Sequence, residues 1–245
     1  MSGLLRSEWL KVTSTRMWWV LFLVALGLTA LSVIPAILLS GTADEFSLEN
    51  PSMMRQLWAG IASASVIALI LGIIAVTGEF RHQTITDSFL TQPRRTAFVT
   101  AKAGVQAVWG AILAIVVGGF GILLAIVLLP TQPHSPIDAG HVAGVYGAAI
   151  LLFALYAVLG VAVGALIRSQ VIALVVALLW VMLMEPLIVT FLPAVGKWLP
   201  GGGASAFLQS SPDLLPLWAG ALLLLGYTMV FSAIAIRTTL QRDIT

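Results

Sequence analysis

Cysteine is absent from this chain and charged residues are scarce, which together exclude several classes of protein. Without cysteine there is no disulfide framework, no thiolate nucleophile and no thiolate metal site. Charged residues make up 9% of the chain, against about a quarter in a soluble domain. The net charge of +2 is small and the basic residues are scattered, which argues against a nucleic-acid partner. Apolar residues make up 60% of the sequence, which indicates an integral membrane protein.

Six apolar runs are long enough to cross a bilayer as helices, since a hydrocarbon core of about 30 Å needs about 20 residues. The first run is longer than the core of a cleaved signal peptide and is interpreted as a retained span. The predicted fold is all-α integral membrane, a single transmembrane domain over 1–245. The spans are expected at about 17–39, 57–77, 101–129, 141–167, 170–185 and 216–236.

The fifth run meets Glu185 and Pro186 before a full crossing is complete. Either the helix continues through a kink to Leu192, or it breaks and the next apolar stretch turns back into the membrane. We favour the second alternative, because proline disrupts the interior of a helix. The sequence therefore predicts a re-entrant segment at about 187–208, before span six.

The basic residues are distributed unequally over the two sides that six spans define. Ten of the twelve lie before span one, between spans two and three, between spans four and five, or after span six. Arg55 and Lys197 fall on the opposite side. The positive-inside rule makes the rich side cytoplasmic, so both termini are predicted to be cytoplasmic.

The segment before span one, LLRSEWLKVTSTRMWW, is typical of a short amphipathic helix. At 100° per residue Leu5, Trp9 and Val12 share one face. Such a helix would lie in the head-group region with Trp9 as its anchor. The alternative is that the segment is merely a positive flank that sets orientation. The polar residues Ser7, Glu8, Lys11, Ser14 and Thr15 cluster opposite the apolar face.

The loop between spans two and three, GEFRHQTITDSFLTQPRRTAFVTAK, is much longer than a turn requires. Thr84 and Asp87 fit a helix-capping pattern, and Pro93 would stop the helix that they start. Ile85 and Phe89, four residues apart, would share one face with Leu90 beside them. An apolar patch of this kind either marks an interaction site or buries itself in the head groups.

At these residues the sequence resembles the permease subunits of bacterial type-2 ABC exporters. The resemblance covers essentially the whole chain: six spans, an amphipathic lead-in helix, a coupling helix between spans two and three, and a broken outer segment before span six. The most specific pattern is E-[FY]-R-x-x-T-I…P-x-R…K. It is carried here by Glu79, Phe80, Arg81, Thr84, Ile85, Pro93, Arg95 and Lys102.

The resemblance implies an ATP-driven machine in the bacterial cytoplasmic membrane, made of two permease subunits, identical or similar, and two separate ATPase subunits. ATP and Mg would be bound by the ATPase and no cofactor by this chain, which has no G-x-x-x-x-G-K-[ST] sequence. Closure of the ATPase dimer would push the coupling helices and tilt the permease halves. The residues expected to contact the ATPase are Glu79, Phe80, Arg81, His82, Thr84, Ile85, Asp87, Phe89, Leu90 and Arg95.

Two other functions fit parts of the sequence. A secondary transporter or channel would need an ionisable residue inside a span, and Glu185 is the candidate, either as an outer gate or as a carboxylate at the mouth of the re-entrant turn. An intramembrane hydrolase would need a base beside Ser205, but His82, His134 and His141 lie in loops or at span ends. Few charges within the spans favour a hydrophobic or amphipathic substrate.

Overall fold

The computed structural model describes residues 2–42, 47–81, 95–211 and 214–241, and it contains no strand in these ranges. Six stretches there are long and apolar enough to cross a membrane, which confirms the predicted all-α, six-span fold. They are Met17–Leu38, Pro51–Arg81, Val99–Thr131, Ala139–Ile167, Gln170–Phe191 and Leu217–Thr238, called spans one to six below. The helices are α1 (Ser2–Ser14), α2 (Met17–Leu38), α3 (Pro51–Ala59), α4 (Ser65–Arg81), α5 (Arg95–Leu128), α6 (Ala139–Ile167), α7 (Gln170–Leu179), α8 (Glu185–Phe191), α9 (Pro193–Gly196), α10 (Pro200–Phe207) and α11 (Leu217–Gln241).

Two spans begin earlier in the sequence than their apolar runs, because polar side chains cap their first helices. Asn50 accepts a hydrogen bond from the backbone N–H of Ser52, so span two starts with α3, six residues before its predicted start. Asp138 accepts from the backbone N–H groups of Gly140 and His141 and starts span four. The end of the molecule formed by α1, the end of α4 and the start of α5 is called the predicted cytoplasmic end, because its sidedness stays a prediction.

Spans two and four form the centre of the bundle. In the most apolar window of span two 61% of residues are buried, against 17% in span five. Gly160 and Gly164, four residues apart on α6, lie in the contact between these two central spans. A Cβ on Gly160 would lie 2.1 Å from the carbonyl oxygen of Leu69. The close approach of the two backbones therefore depends on glycine.

We expect Gly160→Ala to lower the unfolding free energy by about 1–3 kcal/mol, because the added methyl group collides with backbone that cannot move independently. Thermal unfolding of the purified chain in detergent measures the change. Gly144→Ala is the matched control, since it lies on the same helix and a Cβ there meets nothing within 4 Å. Equal midpoints for the two variants would contradict the packing argument.

The prediction that span five ends at about residue 185 was wrong. The helix passes from α7 through a π-helical turn, Trp180–Met184, and continues as α8 to Phe191. The backbone N–H of Glu185 donates to the carbonyl oxygen of Trp180, five residues earlier. This wider turn comes immediately before Pro186, whose missing N–H would otherwise break the regular pattern, so the proline is accommodated without ending the helix.

After Phe191 the chain turns back along spans five and six. A Cβ on Gly196 would touch Val189, and a Cβ on Gly203 would touch Leu223. The hydroxyl of Tyr227 donates to the carbonyl oxygen of Trp198 at 3.2 Å. Tyr227 lies near the middle of span six, so the chain returns to that depth before α10 leaves it again. This is the path expected of the re-entrant segment, with its start moved from residue 187 to about 192; its place in the bilayer stays a prediction.

Candidate functional site

Four charged side chains meet at the predicted cytoplasmic end. Lys102 Nζ lies 2.5 Å from Glu8 Oε2 and 3.0 Å from Glu79 Oε1. Lys11 Nζ lies 2.6 Å from Glu8 Oε1 and 2.7 Å from Glu79 Oε1. Each ammonium group therefore bridges both carboxylates. We call Glu8, Lys11, Glu79 and Lys102 the charge cluster.

The charge cluster is largely removed from solvent. Glu8 and Lys102 are each 3% exposed and Glu79 is 8% exposed. Lys102 also donates to the carbonyl oxygen of Ala75 at 3.1 Å, at the last turns of span two. A buried charge is tolerated when it is paired and hydrogen-bonded, and two cations with two anions meet that condition.

The electrostatics of the amino-terminal helix follow from this pairing. Burial alone would raise the pKa of Glu8, but the charge of Lys102 and hydrogen bonds from Lys102 and Lys11 hold that pKa below its usual value. Burial alone would lower the pKa of Lys11, and its bonds to Glu79 and Glu8 instead raise it. Both groups are therefore stabilised in their charged forms.

The charge cluster joins three separate elements. Glu8 and Lys11 come from α1, Glu79 from the end of α4, and Lys102 from the second turn of α5. Helices α4 and α5 are the two that flank the loop 82–94. Consequently α1 is fastened to both ends of the loop that the sequence predicts as the coupling segment.

An aromatic cluster lies on the membrane side of these charges. The ring of Trp109, from span three, is 5.0 Å from the ring of Trp9 and 5.6 Å from that of Trp18. Phe22 makes edge contacts with both Trp18 and Trp109. Trp9 therefore packs against the bundle in addition to any contact with lipid.

A cavity of about 840 Å³ opens beside the charge cluster, between α1 and spans one, two and three. One side is polar and includes all four members of the charge cluster. The other side is apolar. Arg81 and Gln106 also line the polar side, and the apolar side includes Trp18, Leu21, Leu71 and Ile74.

The structure divides the predicted ATPase-contacting residues into three groups. Glu79 belongs to the charge cluster. The guanidinium carbon of Arg168 lies 5.5 Å from the centre of the Phe80 ring, and Arg81 is exposed. Arg95 begins α5, but its side chain is outside the described part of the chain. Contact with an ATPase stays a prediction for all of them. His82, Thr84, Ile85, Asp87, Phe89 and Leu90 lie outside the described residues.

The amino-terminal helix forms as predicted, but its orientation differs from the simple amphipathic picture. Leu5 is 42% exposed and Trp9 is 37% exposed, whereas Val12 is partly buried against the bundle. Glu8, on the polar face, points into the protein. Glu8 and Lys11 therefore dock the helix through ion pairs, and Leu5 is left on the outer side, where an interfacial helix would meet lipid. Trp9 is partly exposed on that side and also contacts Trp109.

Glu185 contacts the segment that follows span five. Glu185 is 3% exposed, and its carboxylate accepts a hydrogen bond from the backbone N–H of Gly201, at the first turn of α10. A Cβ on Gly201 would lie 2.9 Å from the Glu185 carboxyl carbon, so a larger residue there would displace the carboxylate from its present position. Glu185 caps a helix that follows it in the chain. A role as an outer gate stays a prediction.

The other sequence candidate, Ser205, is not joined to a base within the described residues. It lies in α10, and no hydrogen bond links its hydroxyl to His134 or His141. The pairing of Glu8 and Lys11 with Glu79 and Lys102 was missed. The sequence contains two acidic and two basic residues near span ends on the same predicted side. It does not indicate which of them form ion pairs.

Comparison with known proteins gives one family. The family described as ABC-2 family transporter protein matches residues 4–197, well over half of the chain, from the first turn of α1 to the return after span five. No curated protein matches the chain.

Proposed function

This chain belongs to the ABC-2 family of transporter proteins, and from that membership we propose that it is the permease of an ATP-driven exporter coupled through the loop 82–94. Membership makes the chain a multi-pass membrane component of an ABC transporter. The coupling route, the direction of transport and the substrate class are the proposal. The membrane is proposed to be the bacterial cytoplasmic membrane.

The charge cluster is the observation that carries this proposal. A loop that receives force from a soluble partner must pass it to the spans, and a flexible loop between two independent helices would dissipate it. Here Glu79 and Lys102, one on each flank of the loop, share a 3.0 Å ion pair and both bind residues of α1. Force on the loop would therefore move α1, span two and span three together.

The partner is proposed to be an ABC ATPase that carries both ATP and Mg. Family membership implies association with such a subunit. Two ATPases and two permeases would form the working unit, the second permease being a copy of this chain or a similar sibling. The Phe80–Arg168 contact would extend the same movement to the end of span four.

The translocation path is proposed to lie between the two permeases. Spans one, five and six are the candidate walls, since 22%, 17% and 22% of their most apolar windows are buried within one chain. Their outward faces are apolar, with Leu31 and Phe191 among the most exposed side chains. A path lined by such faces suits a hydrophobic or amphipathic substrate.

The secondary-transporter alternative loses its main support. Its candidate residue, Glu185, is occupied as the cap of α10 and has no cation partner among the described residues. An ion-coupled carrier needs a carboxylate that exchanges partners during transport.

We expect Phe89→Asp to abolish recovery of the ATPase and ATP-dependent transport, while membrane insertion is unchanged. A charge in the apolar face of the predicted coupling helix would be desolvated without a partner in the ATPase groove. The measurement is purification of the tagged chain from native membranes in mild detergent, followed by an ATPase assay. Phe46→Asp, on the predicted outer side, is the matched control.

Recovery of the ATPase with both variants would contradict coupling through this loop. A wild-type chain that purifies alone and transports in liposomes without ATP would contradict the exporter itself.

A further inference from the structure

The cavity beside the charge cluster contains two buried acceptors without donors. Glu79 Oε2 and Gln106 Oε1 have no hydrogen-bond partner within the described part of the chain. Glu79 uses its other oxygen for Lys11 and Lys102. Gln106 is 2% exposed and lies one turn after Lys102 on the same face of α5. A buried acceptor left unpaired costs about 1–3 kcal/mol, so these two oxygens favour a ligand that donates hydrogen bonds.

The shape and position of the cavity restrict the rest of the ligand. Trp18, Leu21, Leu71 and Ile74 form its apolar side, and Trp18 and Leu21 belong to span one. Its volume of about 840 Å³ is within the range of sites for drug-sized ligands. A molecule with a polar head beside the charge cluster and a hydrocarbon chain along span one would fit both sides.

The charges restrict the head group. The polar side carries three cations, Lys11, Arg81 and Lys102, and two anions, Glu8 and Glu79. An ammonium group alone would add to this excess of positive charge, which is costly in a partly buried site. A head group with both an ammonium and a phosphate avoids that cost, because its phosphate would face Arg81, the exposed cation at the rim.

We propose that this cavity is a binding site for a phospholipid whose head group carries a primary ammonium. The ammonium donates to Glu79 Oε2 and Gln106 Oε1, the phosphate faces Arg81, and the acyl chain lies against Leu21 and Ile74. The head group reaches the two oxygens after rotation of the terminal torsions of Glu79 and Gln106, which are broad. A quaternary ammonium has the same charge but no N–H, so it cannot make these bonds.

The test compares lysophosphatidylethanolamine, lysophosphatidylcholine and free ethanolamine as ligands of the full chain in detergent, with affinities measured by native mass spectrometry. We expect the ethanolamine lipid to bind about tenfold more tightly than the choline lipid, since the difference is one or two buried hydrogen bonds to a charged donor. Free ethanolamine should bind much more weakly, which separates a lipid site from a site for small amines.

Gln106→Leu removes one acceptor and leaves the charge cluster intact, so the preference for ethanolamine should fall to a few-fold or less. Gln56→Leu, at an exposed position of α3, is the matched control and should keep the full preference. Equal binding of the two lipids to the wild-type chain, or an unchanged preference in Gln106→Leu, would overturn the proposal and assign the two oxygens to bound water. These measurements need neither an ATPase nor transport, so they are independent of the proposed exporter.

Discussion

Lys102→Met is expected to lower the unfolding free energy by about 3–5 kcal/mol and to abolish transport, the largest effect of any single change at the predicted cytoplasmic end. Methionine fits the volume but leaves Glu8 and Glu79 facing each other with Lys11 as their remaining cation. Lys11 is half exposed, so it compensates the two buried carboxylates poorly. The expected structural result is release of α1 from the bundle.

Two measurements would detect this release of α1. Thermal unfolding in detergent reports the loss of stability. A spin label attached through Ser7→Cys reports the mobility of α1, and no other cysteine competes for the label because the chain has none. Lys197→Met is the matched control, since Lys197 lies outside the charge cluster, and it should change neither quantity.

A second substitution separates charge imbalance from lost packing. Glu8→Gln combined with Lys102→Met removes one anion and one cation, and the Lys11–Glu79 pair at 2.7 Å stays balanced. The double variant should recover most of the stability lost in Lys102→Met, because no unpaired buried charge is left. If the double variant is as unstable as the single one, the cause is packing and the electrostatic account of the charge cluster is wrong.

The spans could be predicted from the sequence because their signal is local. Any 20-residue apolar run must form its own backbone hydrogen bonds in a bilayer, so helix and membrane crossing follow together. The errors lie at helix ends, where capping side chains determine the residue at which the helix begins. Asn50 and Asp138 start spans two and four ahead of the apolar runs. Mean hydropathy detects the apolar run but not the polar residue that caps the helix before it.

The charge cluster could not be predicted, because its members are distant in the sequence. Lys11 and Glu79 are separated by 68 positions, and Glu8 and Lys102 by 94. Helical periodicity placed Glu8 on the polar face of α1, which is correct, but it cannot tell whether that face meets water or an oppositely charged neighbour. The family pattern included Glu79 and Lys102, without indicating that they bind each other.

Span five shows the opposite kind of error, in which a local rule was followed too strictly. Proline usually ends a helix, and the expected break at Glu185–Pro186 was placed on that rule. A single π-helical turn before the proline supplies the extra residue that removes the conflict. The same turn directs the Glu185 carboxylate towards Gly201, so the exception to the rule also positions the cap of α10.

Glu185→Leu should therefore disrupt the return segment, whereas Glu185→Gln should largely preserve it. Leucine leaves the backbone N–H of Gly201 without an acceptor in apolar surroundings, at a cost of about 1–3 kcal/mol. Glutamine keeps one side-chain oxygen in place for the same bond. Transport is expected to be lost in the leucine variant and to be reduced only a few-fold in the glutamine variant.

The position of α10 can be followed separately from transport. Labelling of Ser205→Cys by a water-soluble maleimide should increase in the Glu185→Leu background and change little in the Glu185→Gln background. Glu49→Leu, which removes an exposed carboxylate, is the control and should match the parent. If Glu185 instead exchanged protons during transport, glutamine and leucine would be equally inactive with unchanged labelling, because both remove the titrating group. A cap therefore predicts that the glutamine variant is more active than the leucine variant, whereas a proton-exchanging gate predicts that both are inactive, and the hydrogen bond from Gly201 favours the cap.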